Sequence, residues 1–122
     1  MIEIRQYVDR QGRTPFLKWL DALSDEAQAR VAVSLERLER GNLSSVKSVG
    51  AGVQELRINF GPGYRVYFGW DGEQIVILLA GGSKKRQQED IEKAKDLWRE
   101  FKARKQEEAA KRREHGTDNE FQ

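Results

Sequence analysis

The stretch from Gly52 to Gln88 leaves this chain few choices of fold. It reads Gly52-Val53-Gln54-Glu55-Leu56-Arg57-Ile58-Asn59-Phe60, then Gly61-Pro62-Gly63, then Tyr64-Arg65-Val66-Tyr67-Phe68-Gly69-Trp70. An Asp71-Gly72 turn leads into Gln74-Ile75-Val76-Ile77-Leu78-Leu79-Ala80, and Gly81-Gly82-Ser83-Lys84-Lys85-Arg86 follows. Three strand-like runs joined by two Gly-bearing turns predict a three-stranded antiparallel meander.

The two-residue period of a strand then assigns faces. Leu56, Ile58 and Phe60 oppose Glu55, Arg57 and Asn59, while Tyr64, Val66, Phe68 and Trp70 oppose Arg65, Tyr67 and Gly69. Matching apolar faces puts Arg57, Arg65 and Tyr67 together on the outer surface of the sheet. The third run is apolar throughout, as in a strand covered on both sides, and it delivers Lys84 and Lys85 to the sheet's end where a helix begins. The expectation is a cationic site without metal ligands.

The flanking segments complete one small domain. Residues 1–8 alternate, with Ile2, Ile4 and Val8 opposite Glu3, Arg5 and Tyr7, which predicts a fourth strand. Thr14-Pro15 begins a short helix carrying Phe16, Leu20 and Leu23, and Ser24-Asp25-Glu26 begins a second carrying Ala27, Val31, Leu35 and Leu38 until Gly41. Residues 42–52 read as a loop, with Lys47 its one cation. A last helix is predicted from Ser83 to at least Arg104, with Ile91, Ala94, Trp98 and Phe101 as its stripe. The predicted fold is α+β: a small, mostly antiparallel sheet, two N-terminal helices on one face, and a C-terminal helix. Residues 1–104 form the domain. Residues 105–122 form a charged helical extension and, from Gly116, a polar tail without structure of its own.

Composition narrows the chemistry. The absence of cysteine removes disulfides, thiol catalysis and Cys-based zinc sites, and fits a reducing compartment. Neither a signal peptide nor an apolar run of membrane-spanning length is present, so a cytoplasmic protein with no membrane partner is expected. Residues 1–83 hold ten Lys/Arg and ten Asp/Glu and residues 84–122 hold twelve and ten, so the net +2 argues for nucleic acid only through local clustering. The single histidine, His115, lies in the tail, and no phosphate loop or metalloprotease motif occurs.

Metal-free cleavage of a phosphodiester by its own 2′-hydroxyl is compatible with these residues. It needs a base, cations that hold the phosphate, and an acid for the leaving oxygen. Arg57 and Arg65 suit the cationic role, because a guanidinium matches phosphate oxygens and keeps its charge. Lys84 is the candidate base, on condition that Lys85, Arg57 and Arg65 favour its neutral form. Tyr67 either donates a proton, stacks on a base, or is simply a partly buried sheet aromatic, and Lys47 is a phosphate contact or a solvated loop lysine.

The stretch resembles the RelE/HigB/ParE superfamily of type II toxins, in the HigB-related branch called addiction module killer proteins. The resemblance is carried by Glu55-Leu56-Arg57-Ile58, by Gly61-Pro62-Gly63-Tyr64-Arg65-Val66-Tyr67, by the apolar run ending in Gly81-Gly82, by Lys84, and by Asp90-Ile91-Glu92-Lys93-Ala94-Lys95-Asp96-Leu97-Trp98. In layout it covers about residues 1 to 102. Ser83 stands where that branch commonly has Asp, and Lys85-Arg86 where small polar residues are usual. The resemblance implies a RelE-like fold and a toxin that cleaves mRNA in the ribosomal A site without metal or cofactor, inhibiting translation. It also implies a cognate antitoxin, of the helix-turn-helix type for the HigB-like branch, through which alone the toxin meets operator DNA. Position by position it implies Arg57, Arg65, Lys84 and Tyr67 as catalytic and Lys47 as RNA-binding; Lys85 is added as a phosphate contact from its place beside Lys84. Two other readings share the fold: a ParE-like protein that poisons DNA gyrase without catalysis, and a decayed toxin kept as an antitoxin-binding or corepressor partner.

Overall fold

The computed structural model describes the backbone of residues 1–120 and side chains as far as Glu114. In chain order the elements are β1 (Glu3–Gln6), α1 (Pro15–Asp21), α2 (Asp25–Glu39), β2 (Val46–Gly50), β3 (Val53–Ile58), β4 (Tyr64–Asp71), β5 (Ile75–Ser83), a 3₁₀ turn (Lys84–Arg86) and α3 (Gln87–Glu120). The sheet order is β1-β5-β4-β3-β2, with β1 parallel to β5 and every other pair antiparallel. The architecture is therefore α+β, with the meander β3-β4-β5 at its centre as the turn sequences predicted.

Two apolar layers hold the helices to the sheet. On one face Phe16, Val31 and Leu38 of α1 and α2 meet Leu56, Ile58, Val66, Phe68, Val76 and Leu78. On the other, Ile91, Ala94 and Trp98 of α3 cover Val53, Tyr67, Ile77 and Leu79. Pro15 opens α1, and the Ser24 hydroxyl accepts the Ala27 amide at the start of α2, as the local sequence suggested. Trp98 fits because Gly69 lies beneath it: an added Cβ there would stand 2.5 Å from the indole ring.

Four expectations are corrected. Residues 42–52 are not all loop, since Val46–Gly50 pairs with β3 as an edge strand, and Lys47 lies directly opposite Glu55. The outer face of the meander is not open, because α3 lies across it and buries Tyr67 completely and Arg65 to 5 % exposure. In the N-terminal strand Ile2 and Ile4 pack on the α1–α2 side and Tyr7 on the opposite side against Phe101, as the alternation predicts, but Val8 is exposed instead of joining Ile2 and Ile4, because β1 ends at Gln6 and the chain turns through Asp9. The last helix begins at Gln87 after the 3₁₀ turn, not at Ser83, and it continues through Gly116 to Glu120 where a tail had been expected. Residues 121 and 122, and the His115 side chain, lie outside the described residues.

Candidate functional site

Four neighbouring strands of the sheet put unlike chemistry in one row. Lys47 on β2 pairs in register with Glu55 on β3, Glu55 with Tyr67 on β4, and Tyr67 with Ala80 on β5, all facing α3. Glu55 is fully buried, so its carboxylate needs partners, and it has four. The Tyr67 hydroxyl donates to Oε2 at 3.2 Å and the Gln87 side-chain amide donates to the same oxygen at 2.9 Å. Oε1 faces two cations, Arg65 Nε at 3.6 Å and Lys47 Nζ at 3.7 Å. Neither Oε1 nor Arg65 Nε has a hydrogen-bond partner, so this corner is held by charge and not by a formed hydrogen bond. Burial, together with the negative charge of Glu55 and the hydrogen bond to it, raises the Tyr67 pKa well above its ordinary value of 10. Its proton stays on the hydroxyl oxygen, directed at Glu55.

The Gly61-Pro62-Gly63 turn ties this row to the 3₁₀ turn. Gly63 adopts a φ of 77°, which a residue with a side chain rarely takes, and its carbonyl accepts from two directions. Arg65 Nη1 donates to it at 2.8 Å and the Lys84 backbone amide donates at 3.0 Å. A Cβ built on Gly63 would stand 3.5 Å from Arg65 Nη1 and 3.7 Å from Lys84 Cβ, so the two cationic residues meet over this glycine. Lys84, Lys85 and Arg86 are all exposed at the rim, and the Lys47 side chain is 55 % exposed.

The paired glycines have separate reasons. A Cβ on Gly81 would stand 2.5 Å from Trp19 Cζ3 of α1, and one on Gly82 would stand 2.6 Å from Asp90 Cγ of α3. The bulge in the β4–β5 ladder, where Tyr67 pairs with Ala80 but Phe68 with Leu78, re-phases β5 so that Gly82 sits opposite Arg65. Asp90 occupies the space this leaves. Desolvation there raises its pKa, Lys93 and Arg86 pull it down, and Glu89 adds to the rise.

The sequence-derived residues thus separate into two groups. Arg65, Tyr67 and Lys47 converge on Glu55, with Lys84 joined to them through Gly63. Arg57 is Arg65's cross-strand neighbour but is exposed, and it lines a different groove with Arg30 and Arg37 of α2. Lys85 is exposed on the 3₁₀ turn, with no ion pair to any described residue. Among the described residues no three metal-binding side chains converge.

A family model for phage-derived Gp49-like proteins (DUF891) matches residues 18–112, which include α2, every strand after β1, and the whole site. The chain belongs to the Gp49-like family. That family is toxin-like and related to the RelE/HigB type. An uncharacterized protein of Haemophilus influenzae strain Rd is 44% identical over 87 residues, 70% of this chain and 88% of that protein.

For a Gp49-like chain read from sequence alone, Glu55 and Gln87 were the residues missed. Strand parity puts Glu55 on the face with Arg57, but gives it no role in the site. Its signal was available: a lone acid on the same strand face as Arg57, one position from an apolar run, is a candidate for a buried ion pair once that face is covered. Gln87 gave no such signal, since a helix-opening glutamine reads as solvated. No helix among the described residues of this Gp49-like protein is long and apolar enough to cross a membrane.

Proposed function

We propose that this chain is the toxin of a type II toxin–antitoxin pair and acts as a ribosome-dependent mRNA endoribonuclease in the cytoplasm, restrained by a cognate antitoxin. The observation that carries the reading is the double use of the Gly63 carbonyl, which holds buried Arg65 and exposed Lys84 side by side. Lys85 meets the scissile phosphate from the rim, and Lys84 in its neutral form takes the 2′-proton as the 2′-oxygen bonds to phosphorus and the P–O5′ bond breaks, the leaving 5′-oxygen gaining its proton from water. Arg65 lies behind them, its direction set by Glu55, and adds positive potential where negative charge builds on phosphorus. Tyr67 acts through Glu55, because its hydroxyl is fully buried and committed to that carboxylate. Lys47 extends the positive rim along β2, and Arg57 extends it on the β3 side.

Burial of Arg65 and Tyr67 favours one other reading, a ParE-like toxin that binds DNA gyrase and cleaves nothing. Brief expression in cells, with mRNA 5′ ends and plasmid supercoiling measured in the same culture, separates the two. New 5′ ends inside translated codons, lost in Lys84→Gln, are expected. Relaxed plasmid or DNA damage with intact mRNA would transfer the assignment to gyrase.

A further inference from the structure

We propose that the groove between α2 and the free end of β3 is a binding position for one nucleotide of single-stranded RNA, separate from the Glu55 cluster. The inference rests on the RNA-directed reading above for its choice of ligand, but binding there requires no cleavage. β2 begins at Val46, opposite Leu56, and the last backbone contact across this ladder is the Arg57 amide donating to Ser45. Ile58, Asn59 and Phe60 therefore run past the end of the neighbouring strand, and α2 lies alongside them. The space left is a groove of about 370 Å³, the scale of a single nucleotide, lined by Arg30, Arg37, Arg57, Asn42, Asn59 and Phe60 among others.

Its charge is not what the whole chain would lead one to expect. The chain has a net charge of +2 with 20 acidic residues, yet three arginines and no acid line this groove. Among the described residues none of the three guanidiniums has a carboxylate at ion-pair distance, whereas Arg5, Arg10, Arg13, Arg40 and Arg99 all do. Arg57 also sits directly opposite Arg65 on the adjacent strand. Like charges in that position oppose each other, and an anion bound beside Arg57 relieves the repulsion. The polar lining supplies more donors. Asn42 accepts the Ser44 amide and hydroxyl through Oδ1, at 3.0 and 2.8 Å, which leaves its amide NH₂ to serve a ligand.

Phosphate and base then have different partners. Unpaired guanidiniums match phosphate oxygens in pairs. The Arg30 guanidinium lies 4.8 Å from the centre of the Phe60 ring, a planar cation over an aromatic face that can itself take a stacked base. A strand seated here passes Arg57 toward Lys84, so the groove would hold the RNA at a distance from the reacting phosphate.

The test is fluorescence anisotropy of the full chain with a labelled single-stranded RNA octamer across a salt series, with circular dichroism to confirm folding of each variant. Arg37→Glu should weaken binding about tenfold or more near 0.1 M salt, and Arg37→Gln should lower the log–log salt slope by about 0.7, one single-strand phosphate contact. Arg37 is exposed on α2 and remote from the Glu55 cluster, so the fold should be unaffected. Titration with 5′-AMP should shift backbone amides near 42–45 and 57–60. Unchanged affinity and slope in both Arg37 variants would overturn the groove even if mRNA cleavage were established. Arg37-dependent binding without any cleavage in cells would support the groove and remove the ribonuclease reading. Equal affinity for the corresponding DNA octamer would overturn the choice of RNA. An Arg37-dependent hexaglutamate complex as tight as the RNA complex would assign the groove to an acidic peptide instead.

Discussion

Replacing Arg65 by Met keeps most of the side-chain volume and removes the charge that faces Glu55. The carboxylate is fully buried and the Arg65 side chain is only 6 % exposed, so little water can reach either group once its partner is gone. Breaking a buried ion pair from one side typically costs about 3–5 kcal/mol. Glu55 keeps the Tyr67 and Gln87 hydrogen bonds and the nearby Lys47 ammonium, which places the loss at the low end, about 3 kcal/mol. With an unfolding entropy of about 2.1 cal/mol/K per residue, 3 kcal/mol lowers the Tm of a chain of 122 residues by about 12 °C. Glu55→Gln strands Arg65 in the same way and should cost a similar amount. The double variant Glu55→Gln/Arg65→Met leaves no buried charge, so it should recover about 2 kcal/mol relative to the sum of the singles. Lys47→Met is the control: its side chain is half exposed, so the loss should stay below about 1 kcal/mol. Urea unfolding of all four proteins measures the cycle. An Arg65→Met variant within about 0.5 kcal/mol of wild type, with additive singles, would show that Glu55 and Arg65 are not coupled in the folded protein.

Gly82→Ala drives a methyl group into the Asp90 carboxyl and should destabilise by about 1–3 kcal/mol, and Gly82→Ala/Asp90→Ala should regain part of that; equal stability of Gly82→Ala and wild type in urea would refute the contact. Asp9 accepts the Gln11 and Arg13 amides at 2.9 and 2.8 Å, and the Arg13 amide first, then Gln11 and the Arg13 guanidinium, hold its pKa below the ordinary 3.8 despite an opposing desolvation. A depressed folded pKa contributes stability that is present above the unfolded pKa and lost as pH falls through the folded one. Asp9→Asn should therefore lower Tm at pH 7, with the difference shrinking below about pH 4; a difference independent of pH would show that the carboxylate's charge is irrelevant to the turn.

Local sequence was sufficient for the meander, because Gly61-Pro62-Gly63 and Asp71-Gly72 punctuate runs whose alternation leaves one side of β3 and β4 apolar. It was sufficient too for α1 and α2, where Pro15 and Ser24 mark the starts, and for the α3 stripe of Ile91, Ala94 and Trp98. Strand parity also placed Glu55, Arg57, Arg65 and Tyr67 on one face. What that face looks out on was beyond it, since whether a sheet surface meets water or a helix depends on where a distant segment docks. Once α3 lies across it, burial turns Arg65 from a solvated surface charge into the partner of a buried carboxylate, while Arg57, directly opposite it on β3, stays in water. Residues 42–52 read as a loop because the segment is rich in Ser and Gly, and an edge strand there is held by backbone pairing to β3 more than by its own side chains. The β5 bulge was equally invisible: one extra residue in a uniformly apolar run changes no local pattern. It decides which glycine faces Trp19 and which faces Asp90, and only the packing of helices on both sides of the sheet makes that choice.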